Sequence, residues 1–163
     1  MDVSAVLGKK SKMTVSSVLV FFNLARPADR QKLSGLLARH AVQHVRDDFE
    51  EQMREYFQVS HPTLIFATDF EERFQTYLAT LSKNMPLWQS GRWVYFPWIS
   101  TLSHILEDKE FQAVRTARNR NLITAEEQEK FYNATIGIAG LSVGNSAALT
   151  IVLSGGGRHI RLA

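Results

Sequence analysis

The 163 residues suffice for one domain of ordinary size, or for one domain and part of a second, and exclude two complete α/β domains. Apolar residues make up 45%, charged residues 21% and aromatic residues 10%, the composition of a chain that buries a core and not of a disordered or collagen-like one. Without cysteine there is no disulfide framework, thiolate zinc site, catalytic thiol or thioester carrier in these residues. The net charge of +3 arises entirely late in the chain. Residues 1–108 hold 12 basic and 12 acidic side chains, residues 109–163 hold 7 against 4, and no acid follows Glu129. So small an excess, in no continuous basic stripe, argues against nucleic-acid binding, which needs several phosphate contacts at once.

The longest apolar run, Val18 to Phe22 with Leu24 just beyond, falls far short of the roughly 20 residues that cross a bilayer, so no membrane partner is expected. Residues 1–13 are polar and basic, lack the order of a signal peptide, and read as a flexible start, which makes the cytoplasm the default location.

Taken in chain order, Thr14 to Phe22 fits either a strand or the first turns of a buried helix. Pro27 at a first-turn position then opens a long helical stretch from about Ala28 to Phe57, with Leu33, Leu36, Leu37, His40, Ala41, His44, Val45, Phe49, Met53 and Phe57 at three- and four-residue steps. His61-Pro62 breaks it, and Thr68 or Asp69 caps a second helix in which Phe70, Phe74, Tyr77, Leu78 and Leu81 share a face, ending before Asn84-Met85-Pro86. Arg92 to Trp98 reads as a short aromatic strand, and Ser100 to Arg118 as a further helical piece. Residues 14–114 are thus expected to form a mainly helical domain.

At Thr124 the character changes. Thr124-Ala-Glu-Glu127 is a capping box, followed by a short helix to about Tyr132. Ala134 to Ala139 is then a strand, Gly140 to Asn145 a glycine-bearing turn, Ser146 to Ser154 an apolar helix ended by Gly155-Gly156-Gly157, and Arg158 to Leu162 a second strand. That order is one strand, turn, helix and strand crossover, the start of a Rossmann-like unit.

The turn Gly140-Leu141-Ser142-Val143-Gly144-Asn145 fits two patterns. One is a phosphate-binding turn at a helix N-terminus, with Ser142 and Asn145 standing where a strict Gly-x-Gly-x-x-Gly has its second and third glycines. The other is Gly-x-Ser-x-Gly, the nucleophile elbow of α/β-hydrolases. The elbow needs an acid and then a histidine after the serine; no Asp or Glu follows Ser142, and His159 lies only one strand away, so the phosphate turn is the better fit.

The run from Arg118-Asn119-Arg120 through Gln128, the ATIGIAGLSVGNSAAL strand and turn, and Gly155-Gly-Gly-Arg-His-Ile-Arg-Leu162 resembles the start of the ThiF/MoeB superfamily, adenylyltransferases related to ubiquitin-activating enzymes. The resemblance covers about residues 115–163. It implies that Arg120, with Arg118 beside it, is the arginine that reaches nucleotide phosphates, often across a dimer interface. It also implies that Gly140, Leu141, Ser142, Val143, Gly144 and Asn145 surround the phosphates of ATP, with Mg2+ as the accompanying metal. The family's ribose-binding acid should follow directly after Leu162-Ala163. These residues are therefore expected to be the N-terminal part of such an enzyme, not competent alone, whose partners are a nucleotide, a carrier-protein or small carboxylate substrate, and a second copy of the chain. A non-enzymatic helical interaction module, dimerising through the Arg158 to Leu162 strand edge, is the alternative from another class.

Three other features have plainer explanations. His40 and His44 have the spacing of a two-histidine metal site on a helix but lack the metalloprotease glutamate, so no metal ligands are assigned. Trp88, Trp93, Tyr95, Phe96 and Trp98 form core in preference to a base-stacking platform. The acidic pairs Asp47-Asp48, Glu50-Glu51, Glu71-Glu72 and Glu126-Glu127 are solvated helix faces in preference to paired catalytic carboxylates.

Overall fold

A computed structural model describes residues 18–163. The flexible start expected for residues 1–13, and the part of the first apolar segment from Thr14 to Ser17, lie outside the described residues. The architecture is α/β. Four strands, β1 (Val20–Phe22), β2 (His44–Asp47), β3 (Arg92–Phe96) and β4 (Thr101–Ile105), form a mixed sheet in the order β1-β3-β4-β2. β3 runs antiparallel to both β1 and β4, with Phe22 opposite Trp93 and Tyr95 opposite Leu102, whereas β2 runs parallel to β4 with Asp47 opposite His104. A second sheet holds only β5 (Thr135–Ile138) and β6 (His159–Leu162), paired parallel with Ile136 opposite Ile160. The helices are α1 (Pro27–Ala38), α2 (Phe49–Ser60), α3 (Phe70–Asn84), α4 (Asp108–Arg115), α5 (Ala125–Asn133) and α6 (Gly144–Leu153).

Two expectations for the N-terminal region are corrected. The helical stretch from Ala28 to Phe57 is two helices with a strand between them. α1 stops at Ala38, His40 takes a left-handed φ of 52°, and β2 leaves for the sheet edge before Phe49 starts α2. The apolar stripe divides with it: Leu33 joins one core cluster, Phe49, Met53 and Phe57 join another, and Leu37 and Val45 are exposed. His40 and His44 consequently share no helix face, one lying in the turn and the other opening β2. The helical piece expected from Ser100 begins only at Asp108, because Thr101 to Ile105 is β4. Leu102, His104 and Leu106 are buried at alternate positions, and period two is the signature of a strand. The region is therefore α/β: helices hold most of its described residues, as expected, but they pack with a four-stranded sheet that was not.

Packing follows from these placements. Phe49, Met53 and Phe57 of α2 meet Phe74 and Leu78 of α3 and Leu106 after β4 in one cluster, where Phe74 is fully buried. On the sheet, Phe22, Leu24, Tyr95 and Leu102 pack with Leu33 of α1, and the Tyr95 hydroxyl donates to the Ala41 carbonyl at 2.8 Å. The aromatic segment is only partly core: Tyr95 is buried, but Trp88 and Trp98 are exposed.

The C-terminal elements match their expected order. Thr124 and Glu127 form the capping box, each side chain accepting from the other's backbone N–H, and the Thr124 N–H and hydroxyl, both donating to the Glu127 carboxylate, hold that carboxyl below its ordinary range. After α6 the chain turns back beneath α5: the Gly157 N–H donates to the Phe131 carbonyl at 3.1 Å and the Arg158 N–H to the Tyr132 carbonyl at 2.7 Å. A Cβ on Gly156 would fall on the Phe131 ring, so glycine lets the two segments touch.

Candidate functional site

The turn between β5 and α6 leads from Ala139 through Gly140, whose φ of 84° favours glycine, and reaches the helix at Gly144. The Gly140 N–H donates to the Ala163 carbonyl at 2.7 Å and the Ala163 N–H to the Ile138 carbonyl at 3.0 Å, so the end of β6 lies against the turn. A Cβ on Gly144 would collide with the Ile138 side chain; glycine lets the start of α6 rest directly on β5. No side chain caps α6. Its first-turn amides therefore lack side-chain acceptors at the positive end of a ten-residue helix. Leu141, Ser142, Val143 and Asn145 are all exposed, and no carboxylate lies in the turn, α6 or β6. This segment thus offers an anion open backbone donors and offers a cation no side-chain carboxylate.

Ser142 has no histidine to work with. His159 sits beside Thr135 at the start of β5, whereas Ser142 follows the end of that strand, so at least three strand residues, about 10 Å, separate them.

The arginine motif is fixed elsewhere. It forms a short 3-10 helix, Ala117–Asn121, and Asn119 anchors it by donating its side-chain amide to Gln128 Oε1 at 2.7 Å and to the Ser154 carbonyl at 2.9 Å. Arg115 Nη1 donates to the Val152 carbonyl at 2.8 Å, a cation at the negative end of α6. Arg120 Nη1 donates to the Val59 carbonyl at 2.9 Å near the C-terminus of α2, while Arg118 is exposed and has no hydrogen-bonding or ionic partner among the described residues. A small cavity of about 170 Å3 opens beside Arg120, with Asn119, Ile123, Thr124 and Gln128 on its walls.

Within one chain the two sets of candidate residues are therefore apart. Gly140 to Asn145 stand at the N-terminal end of α6 and Arg118 and Arg120 beyond its C-terminal end, about 15 Å along a ten-residue helix. Asn119 and Arg115 carry roles that their residue types alone did not show. Their signal was positional: an amide inside a turn and a guanidinium in a last helical turn are both disposed to satisfy open carbonyls.

Comparison with known proteins is narrow. Aligned over 101 positions that cover 58% of its residues, the chain is 39% identical to the uncharacterized protein MT1398 of Mycobacterium tuberculosis (strain CDC 1551 / Oshkosh), and it spans 14% of that protein's length. No protein-family model matches the chain. No solved structure matches it either.

Proposed function

We propose that residues 115–163 open a nucleotide-binding domain of the ThiF/MoeB kind, in which the Gly140 to Asn145 turn receives the phosphates of ATP and residues 18–114 serve as an accessory α/β region. The observation that carries this is the parallel β5, exposed glycine turn, uncapped α6 and parallel β6, with Gly140 left-handed and Gly144 seated on Ile138. That arrangement presents backbone donors and a helix N-terminus to a phosphate. Bound ATP would supply the adenylyl group, and its Mg2+ would have to come with the nucleotide, since no side-chain carboxylate stands in the turn or β6 to hold the ion.

The reaction is adenylyl transfer: a substrate carboxylate oxygen forms a bond to the α-phosphorus, the bond to the β-phosphate oxygen breaks, and pyrophosphate leaves. In this reaction Gly140, Ser142, Gly144 and Asn145 orient the phosphates and the N-terminus of α6 offsets their charge. Arg120, standing beyond the far end of α6, reaches the phosphates of a second copy of the chain, where its guanidinium offsets charge in the transition state. Two parallel strands form one side of a nucleotide crevice, so ATP binding belongs to a longer polypeptide than these 163 residues. MT1398, of which the chain spans 14%, is a relative of such length.

Calorimetry with ATP on this chain and on a natural polypeptide extended beyond residue 163 tests the proposal. Binding by the longer polypeptide alone supports it; binding by neither contradicts it.

The second reading, an interaction module, is favoured by α6 itself. The helix carries no charged residue, Leu149 and Leu153 are 56% and 70% exposed, and β5 and β6 each pair on one side only among the described residues. Concentration-dependent association with no ATP binding in either polypeptide is its expected outcome.

A further inference from the structure

The four-stranded sheet has two faces, and α1 covers one of them. Phe22, Trp93, Tyr95 and Leu102 point to that side, so strand alternation puts Phe21, Arg92, Val94, Phe96 and Ile105 on the other. There a cleft of about 500 Å3 opens, floored by the buried Val94 and walled by Phe21, Phe96, Ile105 and Phe111 of α4. Its size falls within the roughly 300–1,000 Å3 of small-ligand sites, which are likewise mostly apolar with a few polar groups. Neither the Gly140 to Asn145 turn nor the arginine motif contributes to it.

Strand register gives this cleft two unlike ends. Arg92 stands opposite Ile105, and Asp108 opens α4 three residues further on, so both charged groups lie at one end. Phe96, about 13 Å along β3, lies at the other. No ion pair joins Arg92 to Asp108 among the described residues. Arg92 gives only its Nε to Glu107, at 2.6 Å, and its two Nη groups have no partner among those residues. Asp108 accepts the Tyr132 hydroxyl on Oδ2 at 3.0 Å, which leaves Oδ1 open. Gln112 turns its Oε1 to Arg115 at 2.7 Å, so its amide N–H groups are open as well.

A ligand matched to this cleft has an apolar body and carries both signs of charge at one end. A lone carboxylate would gain Arg92 but meet Asp108, and a lone amine would meet the reverse. We propose that the cleft binds a free α-amino acid with a large apolar side chain. The carboxylate accepts from the paired Nη groups of Arg92 and from the Gln112 amide, and the ammonium donates to Asp108 Oδ1. The apolar side chain lies over Val94 towards Phe96. Glu107, which accepts from Arg92 Nε and from the Asn23 side chain, holds the guanidinium in place. None of these residues belongs to the proposed nucleotide site, so the amino-acid site stands or falls apart from adenylyl transfer.

Amide NMR titration of the full chain with L-phenylalanine and L-leucine tests this. Expected are saturable shifts of the Val94, Ile105 and Phe111 amides, whereas glycine, which has the charges without the body, should leave them unmoved. N-acetyl-phenylalanine and phenylalaninamide keep the body and one charge each, and each should bind about tenfold or more weakly than phenylalanine. Asp108→Asn keeps the side-chain shape and an acceptor for Tyr132. This variant should weaken phenylalanine binding and leave N-acetyl-phenylalanine unchanged or tighter. The proposal is overturned by the absence of a saturable shift with both amino acids, by equal affinity for the capped derivatives, or by equal weakening of both ligands in Asp108→Asn.

Discussion

Asn119 donates its side-chain amide to the Ser154 carbonyl at the end of α6, and this bond sets the arginine motif opposite the glycine turn. The same amide donates to Gln128, so one residue ties the 3-10 helix, α5 and α6 together. Asn119→Asp removes both donors and faces a carboxylate with two oxygen acceptors. A loss of about 1–3 kcal/mol is expected, measured as a lower denaturant midpoint with an unchanged slope.

The glycines near the C-terminus separate into two kinds. At Gly156 a Cβ would enter the Phe131 ring, whereas at Gly137 in β5 it would meet nothing within 4 Å. Gly156→Ala is expected to destabilise by about 1–3 kcal/mol through overpacking. Gly137→Ala should be neutral or stabilise by about 0.4–1 kcal/mol by restricting the unfolded chain. Thermal melts of the two variants side by side check the contrast.

Arg54 joins α2 to α3 by donating two hydrogen bonds to Glu71, and its guanidinium also lies 4.3 Å from the centre of the Phe74 ring. The Arg54 hydrogen bonds, with help from Gln75, lower the Glu71 carboxyl from 4.5 to about 2. A carboxylate held below its unfolded value stabilises the fold above pH 4.5 and loses that contribution as pH falls towards 2. Wild type should therefore melt slightly above Glu71→Gln at pH 6, and the two should converge near pH 2. The effect is small because the pair is exposed.

Thr124→Ala breaks the capping box that starts α5 and should cost about 1 kcal/mol, read from chemical denaturation. The same variant should raise the Glu127 carboxyl only part of the way towards its ordinary value, since it removes the Thr124 hydroxyl bond but keeps the backbone N–H bond that is the larger cause of the lowering.

The C-terminal third of the fold could be read from residue order because its signals are local. A capping box, a strand of β-branched residues, a turn glycine and a triple glycine each act within a few positions, and β5, α6 and β6 stand where those signals put them. Strands β2 and β4 were hidden for a different reason. Val45 is exposed at a sheet edge and gains its place only by pairing with Leu102, 57 residues away, so no local period announces β2. β4 did carry a period of two in Leu102, His104 and Leu106, masked by helix formers downstream from Asp108. The candidate site divides in the same way. The turn was visible in its glycines, but the placement of Arg120 depends on Asn119 reaching a carbonyl 35 residues on, which sequence spacing alone does not reveal.

The phosphate-binding turn is tested most directly by Asn145→Asp in a natural polypeptide extended beyond residue 163, with ATP affinity measured by calorimetry. Asn145 is exposed in the first turn of α6, where an acidic side chain favours the helix, so folding should be unharmed or slightly improved. The same negative charge would oppose a phosphate at that helix end, and a loss of ATP affinity of about tenfold or more, with an unchanged melting temperature, is the expected result. ATP binding of wild-type strength in this variant would contradict the assignment of Gly140 to Asn145 as the nucleotide site.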